Sequence, residues 1–394
     1  MTRDARLIVV AQGVRGFVYG LGVTVLGVVF HQRGYSPTEV GLLFSAVVCG
    51  MVSTSLLIGR VADQWGRRRC YGALYVTLGV AGVVVATCGQ PWVFAVVGLG
   101  GVLSTDIVES GPFSSLEQSM LADQFGTGGR ARGYGIYNAV ASASGSLGAL
   151  ATSVPGLLRR VHWWAPSAPS LFLVLAPAGV IGLLLSRSLS SAVEVRVAAP
   201  RRRLSPATRP VVRRLAALFA VDSFGGGFVV QSFIAYWLAR RFDATAGALG
   251  VVFFAVGLLQ TASLLLAARV ARRVGLLATM VGTHLPSNVL LAGVAFAPNW
   301  RWAIGLLLAR TLLSQMDVPT RQAYVMSLVG EDERTGAAVY TNAARYVTRP
   351  VGPSLAGLVQ SWGIGLPFLI AGACKSGYDL ALWRSFRHSP VRDG

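Results

Sequence analysis

Gly59-Arg60-Val61-Ala62-Asp63-Gln64-Trp65-Gly66-Arg67-Arg68-Arg69 separates two apolar runs, 36–58 and 70–89. Gly59 and Gly66 let a short loop turn tightly, because glycine tolerates backbone angles that other residues avoid. Three successive arginines cannot lie in hydrocarbon. Each flanking run supplies the roughly 20 mostly apolar residues that a helix needs to cross a bilayer. The segment therefore reads as the connection between two membrane-spanning helices, with its arginines held on one side of the membrane.

Working outward, twelve stretches qualify as spans: 6–30, 36–58, 70–89, 92–121, 131–157, 168–186, 212–239, 246–268, 275–297, 301–328, 335–360 and 364–383. Several exceed what a bilayer requires, which implies tilt or extension beyond it. The composition agrees. Of 394 residues, 53% are hydrophobic and only 13% charged, against about 25% charged in soluble domains; mean hydropathy is +0.58. Too little charge is present to coat soluble domains, so lipid is the expected solvent for much of the surface. Small residues such as Gly16, Gly20, Ser142, Gly145 and Gly148 allow close helix approach in lipid. Arg3 and Arg6 precede a long apolar run, but Arg15 interrupts it and another span follows. This run reads as a first transmembrane helix and not a signal peptide.

The net charge of +19 is almost wholly arginine, with Lys375 the only lysine. The arginines cluster between spans. With the N-terminus in the cytoplasm, 23 fall on inner segments and six on outer ones. That bias matches the positive-inside rule better than a nucleic-acid footprint. Nucleic acid is thus excluded as a partner, and both termini are expected inside the inner (plasma) membrane. Cys49, Cys70, Cys88 and Cys374 form no CxxC pair; they read as packing residues, with no metal site or disulfide framework.

The Arg- and Pro-rich stretch between the sixth and seventh spans has no apolar period and reads as a cytoplasmic linker. The expected organisation is a six-helix bundle over 1–187, a linker over 188–211 and a second bundle over 212–394. The halves echo each other weakly. Ala268-Arg269-Val270-Ala271-Arg272-Arg273-Val274-Gly275 follows the eighth span and matches 59–66 at four of eight positions. Arg130, Asn138 and Gly148 are echoed by Arg334, Asn342 and Gly352. Repeated halves are a signature of transporters with a site between them.

The 59–69 segment resembles the loop 2–3 signature of the major facilitator superfamily, roughly Gly-x-Leu-Ala-Asp-Arg-x-Gly-Arg-Arg. The resemblance covers the whole chain in topology and about a dozen residues in motif. Asp317-Val318-Pro319-Thr320-Arg321-Gln322 is also similar to a stretch in bacterial members. The implied fold is an all-α membrane protein of twelve transmembrane helices in two pseudo-symmetric six-helix bundles. The implied activity is alternating-access transport of a small solute, by a monomer in membrane lipid, with no cofactor beyond an ion gradient. In the family, the loop forms a conformational latch. Carried over, its members are Gly59, Arg60, Asp63, Gly66 and Arg67, with Glu117 as a partner. Asp63 is expected at the N-terminus of the eleventh helix, where a carboxylate is favoured; Arg67 is expected on Glu117 or Asp123. The alternative is topology alone, with Arg67 to Arg69 simply holding the loop inside. The second copy has Arg272 where Asp63 stands, so no second latch is expected.

A charge at the bilayer centre costs roughly 2.5–3.5 kcal/mol on insertion scales, so buried charges mark partners or a watery path. On the fourth span, Asp106, Glu109, Phe113 and Glu117 share one helical face. Asp106 and Glu109 are candidates for proton coupling, with a structural pairing to a neighbouring arginine as the alternative. Asp222, just before Gly225-Gly226-Gly227, is a third candidate and lies at a depth comparable to Arg15 in the first half. On the tenth span Asp317 is flanked by Arg310 and Arg321, and a local ion pair is favoured. Pro319 is expected to bend that span. Arg15, Gln231, Asp317, Arg321, Arg345 and Arg349 are candidates for the substrate cavity. Tyr236 and Trp237 read equally as ligand contacts or packing. Lys375 and Asp379, one turn apart, are expected to pair; His284 and Asn288 read as helix–helix hydrogen-bonders.

Two functions remain. Proton-coupled efflux of a drug or metabolite fits the mid-span carboxylates. However, the fifth span offers Gly145, Gly148 and Pro155-Gly156 in place of the Gly-Pro-x-x-Gly-Gly pattern of many drug–proton antiporters. Import or facilitated movement of an organic anion or metabolite fits Arg15, Arg345 and Arg349. An enzyme is disfavoured, since no nucleophile–base pair, metal-ligand cluster or phosphate-binding glycine loop appears.

Overall fold

The computed structural model describes residues 1–107, 111–124, 126–194, 204–206, 208–330 and 333–387, with the backbone alone at 63, 122–124, 126–132 and 335. Among the described residues it is all-helical, with no strand. Unbroken spans are α1 (Arg3–Gln32), α2 (Pro37–Trp65), α3 (Arg67–Thr87), α11 (Ala246–Val274), α12 (Leu276–Val294) and α17 (Leu366–Phe386). The sixth span is α8 (Leu175–Arg187), entered through a 3-10 turn over Pro169–Val174.

The other five expected spans are each two helices. They are α4 (Pro91–Leu99) with α5 (Pro112–Gln124), α6 (Gly126–Ala151) with α7 (Val154–Arg160), and α9 (Thr208–Gly227) with α10 (Gln231–Phe242). The tenth and eleventh spans are α13 (Trp300–Ser314) with α14 (Asp317–Leu328), and α15 (Arg334–Thr348) with α16 (Val351–Trp362). A proline has no N–H for the carbonyl four residues back, and its ring clashes with that carbonyl. Pro155, Pro319 and Pro353 therefore disown Ala151, Gln315 and Arg349. Those are the last residue of α6 and the C-caps of α13 and α15. In the fourth span the break follows Gly98, Gly100 and Gly101, the last at φ +73°, and closes at Gly111-Pro112. In the seventh it falls after Gly225-Gly226-Gly227.

Seven helical stretches are individually long and apolar enough to cross a membrane: Arg3–Gln32, Pro37–Ala62, Arg67–Thr87, Pro169–Arg187, Thr208–Phe242, Ala246–Val274 and Leu276–Val294. Four of the rest are interrupted as described. The twelfth span carries Lys375, Asp379 and Arg384 within its own length.

Contacts divide the chain into two units: Met1–Ala198 with Val230–Leu258, and Ala199–Val229 with Leu259–Gly394. In the first, α1 is the central helix, 78% buried across its apolar window against 28% for α11. It packs on α6, α8 and α10. Glycines set the distance. A Cβ at Gly20 would overlap the backbone of Gly145, and one at Gly148 the backbone of Phe17. Gly179 and Gly182 do the same for α8 on α3, against Gly79 and Tyr75. Without a hydrophobic drive in lipid, such close backbone approach supplies much of the association.

In the second unit, α12 packs on α13, α14 and α17, and α9 on α15, α16 and α17. Phe219, Met280, Tyr324, Tyr378, Leu382 and Phe386 form its apolar core. These residues come from α9, α12, α14 and α17, the four helices that also carry its buried charges.

Candidate functional site

Among the described residues, each unit contains a buried ionic cluster. In the first, Arg15 on α1 and Glu117 on α5 are both fully buried. Their pairing is bidentate, Nη1 to Oε1 at 2.5 Å and Nη2 to Oε2 at 2.6 Å. Tyr137 donates to Oε2 at 2.5 Å, and Tyr71 donates to Oε1. Arg15 also donates to the Tyr75 hydroxyl at 3.1 Å and to Gln12, and its guanidinium lies 4.5 Å over the Phe113 ring. Glu117 thus accepts four hydrogen bonds, two from a cation. Charge-assisted, bidentate bonds of this kind offset the desolvation of both ions.

Of the two partners expected for Arg67, Glu117 is bound to Arg15, and the side chain of Asp123 lies outside what the structure describes. Phe113 and Glu117 do share a face, but that face meets α1 and α3. The Arg67 guanidinium instead reaches the carbonyls of Ser119 (3.4 Å) and Val193 (3.3 Å). The backbone N–H groups of Arg67 and Arg68, at the start of α3, donate to Glu194 at 2.6 and 3.1 Å. Gly66 turns there at φ +93°. Gly59 and Arg60 lie in α2, and Asp63 does too, its side chain outside what the structure describes.

Asp106 does not share a helical face with Phe113 and Glu117, because the fourth span is unwound around it; Glu109 lies outside the described residues. The Asp106 carboxylate accepts the backbone N–H of Gln231 at 3.0 Å, and the Thr105 carbonyl accepts that of Ser232 at 3.1 Å. The unwound stretch therefore satisfies orphan donors at the N-terminus of α10, a capping role. The Gln231 side chain is buried, with its Nε2 unpartnered.

In the second unit Asp222 on α9 is the hub. Lys375 on α17 pairs with its Oδ1, and Arg321 on α14 donates to Oδ2 at 3.2 Å. Arg321 also holds Asp317 at 2.8 Å, the local pair expected within the helix. The Nε2 of His284 on α12 lies 3.9 Å from Asp222, while Nδ1 faces Asp379 at 2.9 Å. Asn288 donates to the same carboxylate at 2.8 Å. His284 and Asn288 are thus helix–helix hydrogen-bonders, as read. Lys375 and Asp379 are not partners, since Lys375 turns to α9 and Asp379 to α12. The Arg345 carbonyl accepts from Ser223 at 2.8 Å. Arg345 and Arg349 are half-buried on and at the end of α15.

Chemically, the hydrogen-bonded core of this cluster, among the described residues, joins three carboxyl groups to one guanidinium, one lysine amine and one imidazole. With Nδ1 protonated and bonded to Asp379, His284 turns its other nitrogen toward Asp222. Sequence reasoning missed the Lys375–Asp222 pair and the tyrosine cage. The signals were the lone lysine in mid-span and Tyr71 and Tyr75 one turn apart.

Comparison with known proteins agrees with this architecture. The Major Facilitator Superfamily model matches residues 8–353, and the chain belongs to that family of transporters. It is 26% identical over 420 residues to an uncharacterized membrane protein of Saccharomyces cerevisiae, covering 97% of this chain and 93% of that protein. A multi-drug resistance efflux pump PmrA homolog of Lactococcus lactis is 36% identical over 107 residues, 27% of this chain and 26% of its own. The crystal structure of the nucleoside transporter NupG superposes with a TM-score of 0.76 at 14% identity, covering 98% of this chain and all of the other. That likeness speaks to the fold.

Proposed function

We propose that this chain is a proton-coupled secondary transporter that exports a small solute by alternating access, with the proton carried at Asp222. One observation carries the reading: Asp222 is held at once by Lys375 and Arg321 and faces an imidazole whose other nitrogen is bonded to Asp379. Protonating a carboxylate releases its cations, and a released guanidinium or ammonium must find another anion. Proton binding and rearrangement of α9, α14 and α17 are thereby the same event. Glu117 is a poorer carrier, since four donors hold it in a fully buried cage, and Asp106 serves as a cap. Export is supported by the local likeness to an efflux pump.

The test is flux in proteoliposomes under an imposed pH gradient, with solutes chosen from metabolites that accumulate in cells lacking the gene. Asp222→Asn is expected to abolish proton-driven flux while solute exchange continues. Full proton coupling in that variant removes Asp222 from the role; flux indifferent to the gradient in the parent chain ends the antiport reading.

Import or facilitated movement of an organic anion is favoured by a different feature. Arg310, in the middle of α13, has its Nε buried and unpartnered. No described carboxylate pairs with it. Inhibition of export by external organic acids, lost in Arg310→Gln, would favour that second reading.

A further inference from the structure

An open cavity of about 780 Å³ lies in the first unit where α2 ends, α3 begins and α8 ends. Its rim carries Arg68, Arg69 and Arg187. Among the described lining residues the one carboxylate, Glu194, has its oxygens on the N–H groups of Arg67 and Arg68. Arg68 is positioned by donating to the Arg187 carbonyl at 3.1 Å. Trp65, 69% exposed, stands at the same level, where an amphipathic ring is favoured at a membrane surface.

Below the rim the chemistry changes. The wall runs down α3 along Ala73 and Val76 and down α8 along Leu183. Gly72 meets Ser186 at its base, so the two helices leave a shallow furrow there. Ala73 and Val76 are exposed. From Arg68 to Val76 the helix advances about 12 Å at 1.5 Å per residue. The site therefore offers a cationic cup at the helix ends and an apolar furrow running into the membrane-spanning part of the same helices.

We infer that this cavity binds an acidic phospholipid, its phosphodiester among Arg68, Arg69 and Arg187 and one acyl chain along Ala73, Val76 and Leu183. Basic pockets between transmembrane helices are suited to anionic headgroups, each arginine near the surface adding about a fivefold preference. A free phosphate would engage the rim and leave the furrow without purpose. A zwitterionic lipid would bring its own cation to a site that already holds three.

The test is native mass spectrometry of the full chain in detergent, titrated with phosphatidylglycerol or phosphatidylcholine. One phosphatidylglycerol should be retained in preference to phosphatidylcholine. Arg68→Gln with Arg187→Gln should weaken phosphatidylglycerol at least tenfold and erase the preference. Ala73→Phe, which leaves every arginine in place and fills an exposed furrow, should weaken both lipids, and it carries the test if the arginine variant does not fold. Unchanged retention in Ala73→Phe overturns the proposal. So does displacement of the lipid by soluble glycerol phosphate at matching concentration, which would make the cup a site for free phosphate.

Discussion

At the scale of single residues, two buried ion-pair systems behave differently because their stoichiometry differs. Arg15 and Glu117 balance one to one, with Tyr71 and Tyr137 donating to the carboxylate and Tyr75 accepting from the guanidinium. The pair is expected to act as a fixed strut. Glu117→Ala strands a guanidinium away from water and should cost about 3–5 kcal/mol, the usual penalty for breaking a buried pair. Thermal unfolding in detergent reads this loss. Arg15→Leu combined with Glu117→Leu should recover most of it, because no charge is then left unpaired; a double variant as unstable as the single would refute the strut. The Asp222 system joins three carboxyl groups to Lys375, Arg321 and His284, so no one-to-one pairing holds it fixed.

Among elements, helix interruptions account for most of the difference between twelve expected spans and the seven stretches long and apolar enough to cross a membrane. Three of the breaks fall four residues before a proline, and the other two follow glycine clusters. A break leaves carbonyls and N–H groups that lipid cannot satisfy. One set is answered directly: Thr105 and Asp106 take the first donors of α10. Packing between unbroken stretches depends on glycine. Gly148→Val would drive a side chain into the Phe17 backbone and should destabilise by about 1–3 kcal/mol or more, as overpacking does. Gly135→Val, on the same helix but with open space beyond its Cα, should be tolerated. Parallel melting curves of the two variants check this, and equal losses would deny the close α1–α6 approach its role. Gly66 is different. At φ +93° and ψ 135°, outside the left-handed helical well, a side chain is strained by about 1–3 kcal/mol, so Gly66→Ala should loosen the turn that brings Arg67 and Arg68 to Glu194. A reduced melting temperature, restored in no measure by high salt, is the expected signature of backbone strain.

For the whole molecule, arginine placement predicts sidedness. In a cysteine-free background, a cysteine at Trp164, 77% exposed between the fifth and sixth spans, should react with an impermeant maleimide added to intact cells. One at Ser188, exposed just past α8, should react only after permeabilisation. The reverse pattern would invert the topology and place the basic linker outside.

Some of this was legible in the residues alone and some was not, for a physical reason. Span positions follow from composition over about 20 residues, a local sum, so sequence suffices for them. The loop motif made the family visible, and Pro319 already marked one of the five helix breaks. The Asp317–Arg321 pair was readable because helical spacing alone brings the two together. Partner choice across helices was not. Glu117 was expected on Arg67 and took Arg15; Lys375 was expected on Asp379 and took Asp222. A long charged side chain in an apolar interior goes to whichever opposite charge its helix faces across a gap of a few ångström. That facing is set by rotation and close packing at glycines such as Gly20, Gly148 and Gly225, quantities that exist only once the helices are assembled.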